Sequence, residues 1–262
     1  MKKSPIFIGG AGRSGTTLLR IILDSHPHIA CGPEFKATPL ILDLWAELQT
    51  NLASSMREYF IEEEDINWLF SEVITNLLSP YLSKKQKSRI AEKTPNNVFF
   101  FQHLHHVFPD SPLIHVIRDG RDVVSSLLSM NWMDGEGNRL GITQSAQQAA
   151  NYWVQAVEAG QQAGKNIGTA SCYMEVQYED LILNPEDTLK KVFQFIDEPW
   201  DTRVLDFHKI SHDLAGESSE TQVKQRIYST SIGRWRNDLS ASDQIIVKQI
   251  TEPLLSKLGY CN

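Results

Sequence analysis

Residues 10–17, Gly-Ala-Gly-Arg-Ser-Gly-Thr-Thr, gather glycines, an arginine and hydroxyl side chains into one short stretch. That mixture suits the grip of a phosphate. Glycines let successive backbone N–H groups converge on an anion, and the positive end of a following helix adds to the field. Thr16 and Thr17 add hydroxyl donors to Ser14, while Arg13 adds a planar fork matched to a phosphate face. In loops of this shape that hydrolyse nucleoside triphosphates, a lysine before the last hydroxyl residue reaches the β- and γ-phosphates, and the hydroxyl holds Mg²⁺. Here Thr16 stands in the lysine's place, and no predicted strand ends in the bare aspartate that would complete a magnesium site. The loop reads as a holder of a single 5′-phosphate without a metal. A plain glycine turn before a helix is the simpler alternative.

A second anion site is suggested by His115–Ser126, HVIRDGRDVVSS. Arg118 falls at a strand end, with Ser125 and Ser126 in the first turns of the helix that follows. Taken alone, the stretch could equally be a surface Arg–Asp pair at a turn. The elements needed to position both sites are legible. Pro5–Gly10 reads as a strand, and the helical spacing of Leu18, Leu19, Ile22 and Leu23 predicts a helix over 14–25. Strand, glycine turn and helix in that order are the context a phosphate loop requires. Further strands are expected at 89–95, 113–117 and 172–178, with helices at 97–108, 120–130, 143–163, 185–196 and 243–258. Residues 39–82 read as amphipathic helices broken by the acidic run Glu62–Asp65, a solvated helix start. Residues 208–236 are polar and aperiodic, a length of loop that is usually functional. Strands alternating with helices imply a parallel sheet covered on both faces, with ligands at the carboxyl ends of the strands. The loop, Lys93, Arg118 and Tyr178 all fall there.

The chain has 262 residues, 41% hydrophobic and 22% charged, enough for one domain with a real core. Its net charge of −7 argues against a generic nucleic-acid binder. No apolar run approaches the roughly 20 residues that span a bilayer, so no membrane partner is expected. The opening Met-Lys-Lys-Ser-Pro-Ile-Phe-Ile reads as a first strand rather than a secretion signal. Cys31, Cys172 and Cys261 are too scattered for a disulfide framework or a zinc site, and a reducing cytoplasm is the expected compartment.

Taken together, IFIGGAGRSGTTLLRIILDSHPHIACGPE, EKTP, VIRDGRDVVSS, VQYEDLILNPEDTLKKVFQFIDEPW, SETQV and RW…LLSKLGY resemble the sulfotransferases that use 3′-phosphoadenosine 5′-phosphosulfate. The likeness is strongest to the tyrosylprotein branch. These stretches run in the right order along nearly the whole chain. The resemblance implies a single α/β domain with a P-loop-type central parallel sheet flanked by helices, a helical insertion at about 37–82 and a nucleotide-covering loop at about 208–236. It implies metal-free in-line transfer of a sulfuryl group to a hydroxyl acceptor, leaving adenosine 3′,5′-bisphosphate. Position by position, it puts Arg13, Ser14, Gly15, Thr16 and Thr17 on the 5′-phosphate side. Arg118 and Ser126 fall on the 3′-phosphate, and Tyr178, the segment 219–228 and Arg234 complete the pocket. Glu34 falls where the family has its base, Lys93 where it steadies charge on the leaving oxygen, and Ser219 where a serine assists.

Three positions depart from that pattern. Met130 stands where the tyrosylprotein enzymes have an arginine toward the 3′-phosphate. Their acceptor-binding arginines map to Lys36 and Leu40, which admits a small hydroxylated metabolite beside a peptide tyrosine as acceptor. Cys31 matches a cysteine whose disulfide partner position is Ala91. A homodimer is left open. The histidines of FQHLHHVF read as packing or solvated residues, His26 as a helix-end residue and a reserve acceptor contact, and Trp45 and Trp68 either pack or line the acceptor pocket. Two rival readings remain: a Mg²⁺-dependent P-loop small-molecule kinase, and a non-catalytic adenine-nucleotide-binding module.

Overall fold

Five short strands form one parallel sheet. The computed structural model describes residues 3–168, 171–214, 217 and 219–260. Its strands are β1 (Ile6–Gly9), β2 (Ile29–Cys31), β3 (Arg89–Lys93), β4 (Leu113–Ile117) and β5 (Tyr173–Gln177). Their order is β2-β3-β1-β4-β5, and every neighbouring pair is parallel. Strand side chains alternate between faces, so Ile6 and Ile8 enter one core layer and Phe7 the other. Both faces are apolar because helices cover both. Polar residues also enter the strands: besides Arg89, Glu92 and Lys93 in β3, His115 in β4 is fully buried beside the Tyr173 hydroxyl at 2.8 Å, and burial pushes its pKa down to about 3.

The helices among the described residues are α1 (Thr16–Asp24), α2 (Ala37–Gln49), α3 (Ala53–Glu58), α4 (Glu63–Lys85), α5 (Phe101–Val107), α6 (Gly120–Leu128), α7 (Ala146–Ile167), α8 (Tyr178–Leu183), α9 (Pro185–Phe195), α10 (Glu220–Val223), α11 (Trp235–Asp238) and α12 (Ala241–Lys257). Among the described residues, no helix is long and apolar enough to cross a membrane.

The sequence reading missed β2. Three residues are too few to carry a period, so Lys93 closes the third strand rather than the second, Arg118 follows the fourth and Tyr178 the fifth. The register sets Cys31 opposite Ala91, and Cys31 is a buried free thiol whose pKa burial pushes up. The acidic run begins α4: Glu62 and Asp65 accept from each other's backbone N–H in a capping box. The expected loop 208–236 is not wholly irregular. A 3-10 stretch, Thr202–Lys209, runs into its start, and α10 and α11 lie within it. Ala215, Gly216 and Ser218 of that loop, like Cys261, lie outside the described residues.

From β1 the chain builds β2 and β3 on one side and β4 and β5 on the other. The crevice outside a strand flanked in this way is where such sheets bind ligands. α7 fixes the floor of that crevice: Trp153, fully buried, donates Nε1–H to the Arg118 carbonyl at 3.0 Å. Gly120 lies under the indole, where a Cβ would come within 2.6 Å of it.

Candidate active site

The loop after β1 closes onto α1 with Gly15 at φ 95°, a left-handed conformation that favours glycine. A side chain there would also collide with Tyr178, whose ring would lie 2.3 Å from the added Cβ. α1 carries no side-chain cap and no acidic residue in its first turn, so its leading N–H groups have no intrahelical partner and face the crevice. The Gly12 amide is taken by the half-buried Tyr152 hydroxyl at 2.9 Å. Ser14 Oγ, on a buried side chain, has no hydrogen-bond partner among the described residues. Gly12, Arg13, Gly15, Thr16 and Thr17 line a cleft of about 530 Å³, a size suited to a nucleotide.

At one end of the cleft, guanidinium groups converge. Arg13 donates Nε–H to Ser126 Oγ at 3.0 Å and an Nη–H to Ser219 Oγ at 2.9 Å. Arg118 lies over the Tyr178 ring, 4.6 Å from its centroid, and donates to the Arg13 and Ser231 carbonyls at 3.1 and 2.5 Å. Its Nε has no partner among the described residues. Burial first, and then the nearby charges of Arg118 and Arg234, push the Arg13 pKa down. That mutual repulsion is what an anion would relieve. Asp122, the nearest carboxylate, stays 4.0 Å from Arg118 and instead accepts the Gly233 and Trp235 N–H groups at 2.7 and 3.0 Å, fastening the covering segment to α6. The donor set therefore fits a phosphorylated nucleotide: unsatisfied buried donors and clustered guanidiniums at a helix N-terminus.

At the other end, a lysine does reach the loop, but from β3. Lys93 Nζ lies 3.2 Å from Thr17 Oγ1, 2.8 Å from Glu34 Oε1, and 3.0 and 3.1 Å from the two oxygens of Glu217. Glu217 also accepts from Thr17 Oγ1 at 2.9 Å and sits 3.2 Å from Arg20 Nε. The Lys93 side chain is 0% exposed, that of Glu217 4% and that of Glu34 28%.

Each expected site residue finds a place here. Arg13, Gly15, Thr16, Thr17, Glu34, Arg118, Ser126, Tyr178, Ser219 and Arg234 line the cleft, Lys93 bonds to Thr17 and Glu34, and Ser14 lies behind the loop with its N–H on the Ala11 carbonyl. Of the two serines on α6, Ser126 faces Arg13, while Ser125 donates to Asp238 at 3.1 Å. Arg234 stands on the rim with Nε held by Asp238 at 2.6 Å. The aspartate after β4 is engaged as well: Asp119 caps α6 and holds Arg121 at 2.7 Å. Arg139 does not take the place left by Met130, since it donates to the Met130 and Thr143 carbonyls at 2.8 and 2.6 Å.

Other candidates fall away. His26 lies at the amino side of the sheet, stacked 5.0 Å from Phe193, so it is no acceptor contact. The side-chain group closest to a metal-like cluster among the described residues is His26, His28 and Glu198. There His26 Nδ1 accepts the His28 N–H at 3.2 Å and Glu198 pairs with Arg89 at 3.1 Å, so it is an ion-pair cluster. His103 and His106 pack on Trp45. Trp45 is buried, Trp68 faces solvent, and neither lines the cleft; Trp132 does. Sequence reasoning missed Glu217, Arg20 and Tyr152. Glu217 stands two residues before Ser219 in a polar run that gives no sign of burial, while an arginine in the apolar first helix was a signal that could have been followed.

A P-loop-like crevice in which clustered guanidiniums and a Lys–Glu pair flank a helix N-terminus defines a class. The family model described as the sulfotransferase family matches residues 5–202, and the chain belongs to that family. It is 29% identical over 269 residues to a protein-tyrosine sulfotransferase of Drosophila melanogaster, covering 97% of this chain and 51% of that protein. It thus spans about half the length of that relative. To protein-tyrosine sulfotransferase 1 of Homo sapiens it is 28% identical, covering 97% of this chain and 69% of the other. Among solved structures, the sulfotransferase domain of the Synechococcus olefin synthase superposes with a TM-score of 0.65 at 23% identity, covering 97% and 95% of the two chains. A mouse sulfotransferase complexed with PAP gives 0.56 at 14% identity, covering 100% and 87%. These two likenesses establish the fold.

Proposed function

We propose that the protein moves a sulfuryl group from 3′-phosphoadenosine 5′-phosphosulfate to a phenolic or alcoholic hydroxyl. The observation that carries this reading is Lys93 Nζ bridging Thr17 of the anion loop and the Glu34 carboxylate. In this reading Lys93 is the cation beside the leaving phosphate oxygen and Glu34 the base beside the incoming hydroxyl. In the transfer, the acceptor oxygen bonds to sulfur as the bond from sulfur to the 5′-phosphate oxygen breaks. The electron pair of that bond leaves on the phosphate, and the acceptor proton passes to Glu34. Lys93 and the Thr17 hydroxyl offset the charge that develops, and Ser219, holding Arg13 at 2.9 Å, keeps the two anion grips in register. The convergence of Arg13, Arg118 and Ser126 supports recognition of a 3′-phosphate. The protein-tyrosine sulfotransferases among its relatives support a tyrosine hydroxyl as one acceptor. Leu40, 71% exposed, lends no charge for an acidic peptide, which keeps small hydroxylated molecules in the acceptor class.

The test is thermal stability with adenosine 3′,5′-bisphosphate against ADP plus Mg²⁺. A ligand at about 100 times its Kd stabilises by roughly 2.7 kcal/mol. Stabilisation by the bisphosphate, followed by sulfuryl transfer to a phenol or tyrosine peptide, supports the reading. Stabilisation by ADP and Mg²⁺ alone would replace it with a kinase. Tight bisphosphate binding with no transfer to any hydroxyl would leave a binding module.

A further inference from the structure

An ammonium group has three protons to donate, and those of Lys93 are all engaged, by Glu34, by Thr17 and by Glu217. A lysine so occupied has nothing left for a phosphate or sulfuryl oxygen, so a partner must let go when the donor enters. The two carboxylates are not equivalent. Glu34 meets Lys93 from the exposed side of the cluster, where water can replace the lysine. Glu217 is buried, also accepts from Thr17, and stands beside Arg20 Nε. Arg20 is completely buried, with one N–H of each terminal nitrogen on the carbonyls of Cys31 and Asp213. Releasing Glu217 would strip a buried guanidinium of its counter-charge, a strongly unfavourable step.

We infer that Glu217 is the positioning residue of the transfer site. It is a fixed counter-ion that aims Lys93 Nζ and Thr17 Oγ1 at the transferring group, whereas Glu34 is the partner that Lys93 gives up when the donor binds. This inference rests on the sulfuryl-transfer reading. It makes Glu34 available as a base only in a donor-loaded site, and the Lys93 proton released by Glu34 is the one that meets the leaving oxygen. It also ties the lysine to the covering segment. The stretch leading to Glu217 is fastened to α1 by His212 on Asp24 at 2.7 Å, both side chains 4% exposed, and by the Asp213 carbonyl on Arg20.

The test compares the whole wild-type chain with Glu217→Gln, Glu217→Asp and Glu34→Gln. Adenosine 3′,5′-bisphosphate affinity is read by calorimetry, thermal midpoint by scanning, and kcat and donor KM with 4-nitrophenol and a tyrosine peptide. For Glu217→Gln, the loss of a negative charge and the loss of lysine alignment act on affinity in opposite directions. Affinity therefore stays near that of wild type while kcat falls on the order of 10- to 100-fold, the cost of a misaligned group. Glu217→Asp restores part of kcat. Glu34→Gln, freed of competition for Lys93, binds the bisphosphate more tightly than wild type. Tightening on the order of tenfold in Glu217→Gln in place of Glu34→Gln would overturn the inference, because Glu217 would then be the partner displaced. So would an unchanged kcat, or a parallel fall of kcat, affinity and thermal midpoint that the aspartate does not rescue. If wild type itself neither binds the bisphosphate nor transfers a sulfuryl group, the functional reading has failed, independently of any variant.

Discussion

The two ends of the cleft are built on opposite electrostatic plans. Around Ser126, the guanidiniums of Arg13, Arg118 and Arg234 crowd together; Asp122 stays 4.0 Å from Arg118 and serves backbone amides, and Asp238 holds Arg234 at the rim. Around Thr17, the cations Lys93 and Arg20 are matched by the carboxylates Glu34 and Glu217. The first end has charge in excess and is relieved by an anion. The second is balanced before anything arrives, so an incoming anion gains little there until a partner moves. Affinity should therefore be concentrated at the arginine end and rate at the lysine end. Each variant below tests that division.

The largest effect belongs to Glu34→Gln. A positioned general base contributes roughly 10²- to 10⁴-fold, so kcat should fall within that range while bisphosphate affinity does not weaken. A matching loss of affinity would show that Glu34 holds the nucleotide and would collapse the contrast. Lys93→Met comes next. Loss of a charge-stabilising donor costs about 10²- to 10³-fold in kcat, and the same variant should lower the thermal midpoint because Glu217 would be left buried beside Arg20 alone. Arg118→Met inverts the pattern. Hydrogen bonds to charged groups are worth about 1.5–3 kcal/mol, so bisphosphate affinity, measured by calorimetry, should weaken by roughly 10- to 100-fold with kcat at saturating donor nearly preserved. A kcat that falls as far as affinity would mean that the arginine end also takes part in the transfer step.

The sequence made the arginine end more legible than the lysine end, for a physical reason. Anion grips at strand ends are local: a glycine turn, a helix start and a strand-terminal arginine announce themselves within a few residues of one another, and Arg13, Arg118 and Ser126 were all placed that way. The parallel sheet followed from alternation of apolar runs, although β2 was too short to carry a period. The cluster at Lys93 is non-local. Its members come from α1, the segment after β2, the end of β3 and the covering segment, and only folding brings Glu217 to Arg20, 197 positions earlier in the chain. Alternation of elements set Lys93 at a strand end, but its role, like the choice of Glu34, came through resemblance to a family. Glu217, which no such correspondence flagged, was found only in the structure.

The smallest expected effect draws the boundary of the arginine end itself. Arg234 was placed with Arg13 and Arg118 as a pocket residue, and it does stand on the rim. Its Nε is held by Asp238 at 2.6 Å and its side chain is 32% exposed. A cation already paired with a carboxylate and facing water contributes about as much as a surface ion pair, roughly 0.2–1 kcal/mol. Arg234→Ala should therefore weaken bisphosphate binding no more than about fivefold, and the deficit should shrink further in high salt. Asp238→Asn should act in the opposite sense, releasing the guanidinium toward the cleft and tightening binding. If Arg234→Ala instead matched Arg118→Met, the Asp238 pair would have to break on binding. Arg234 would then supply the contact that Met130 does not make.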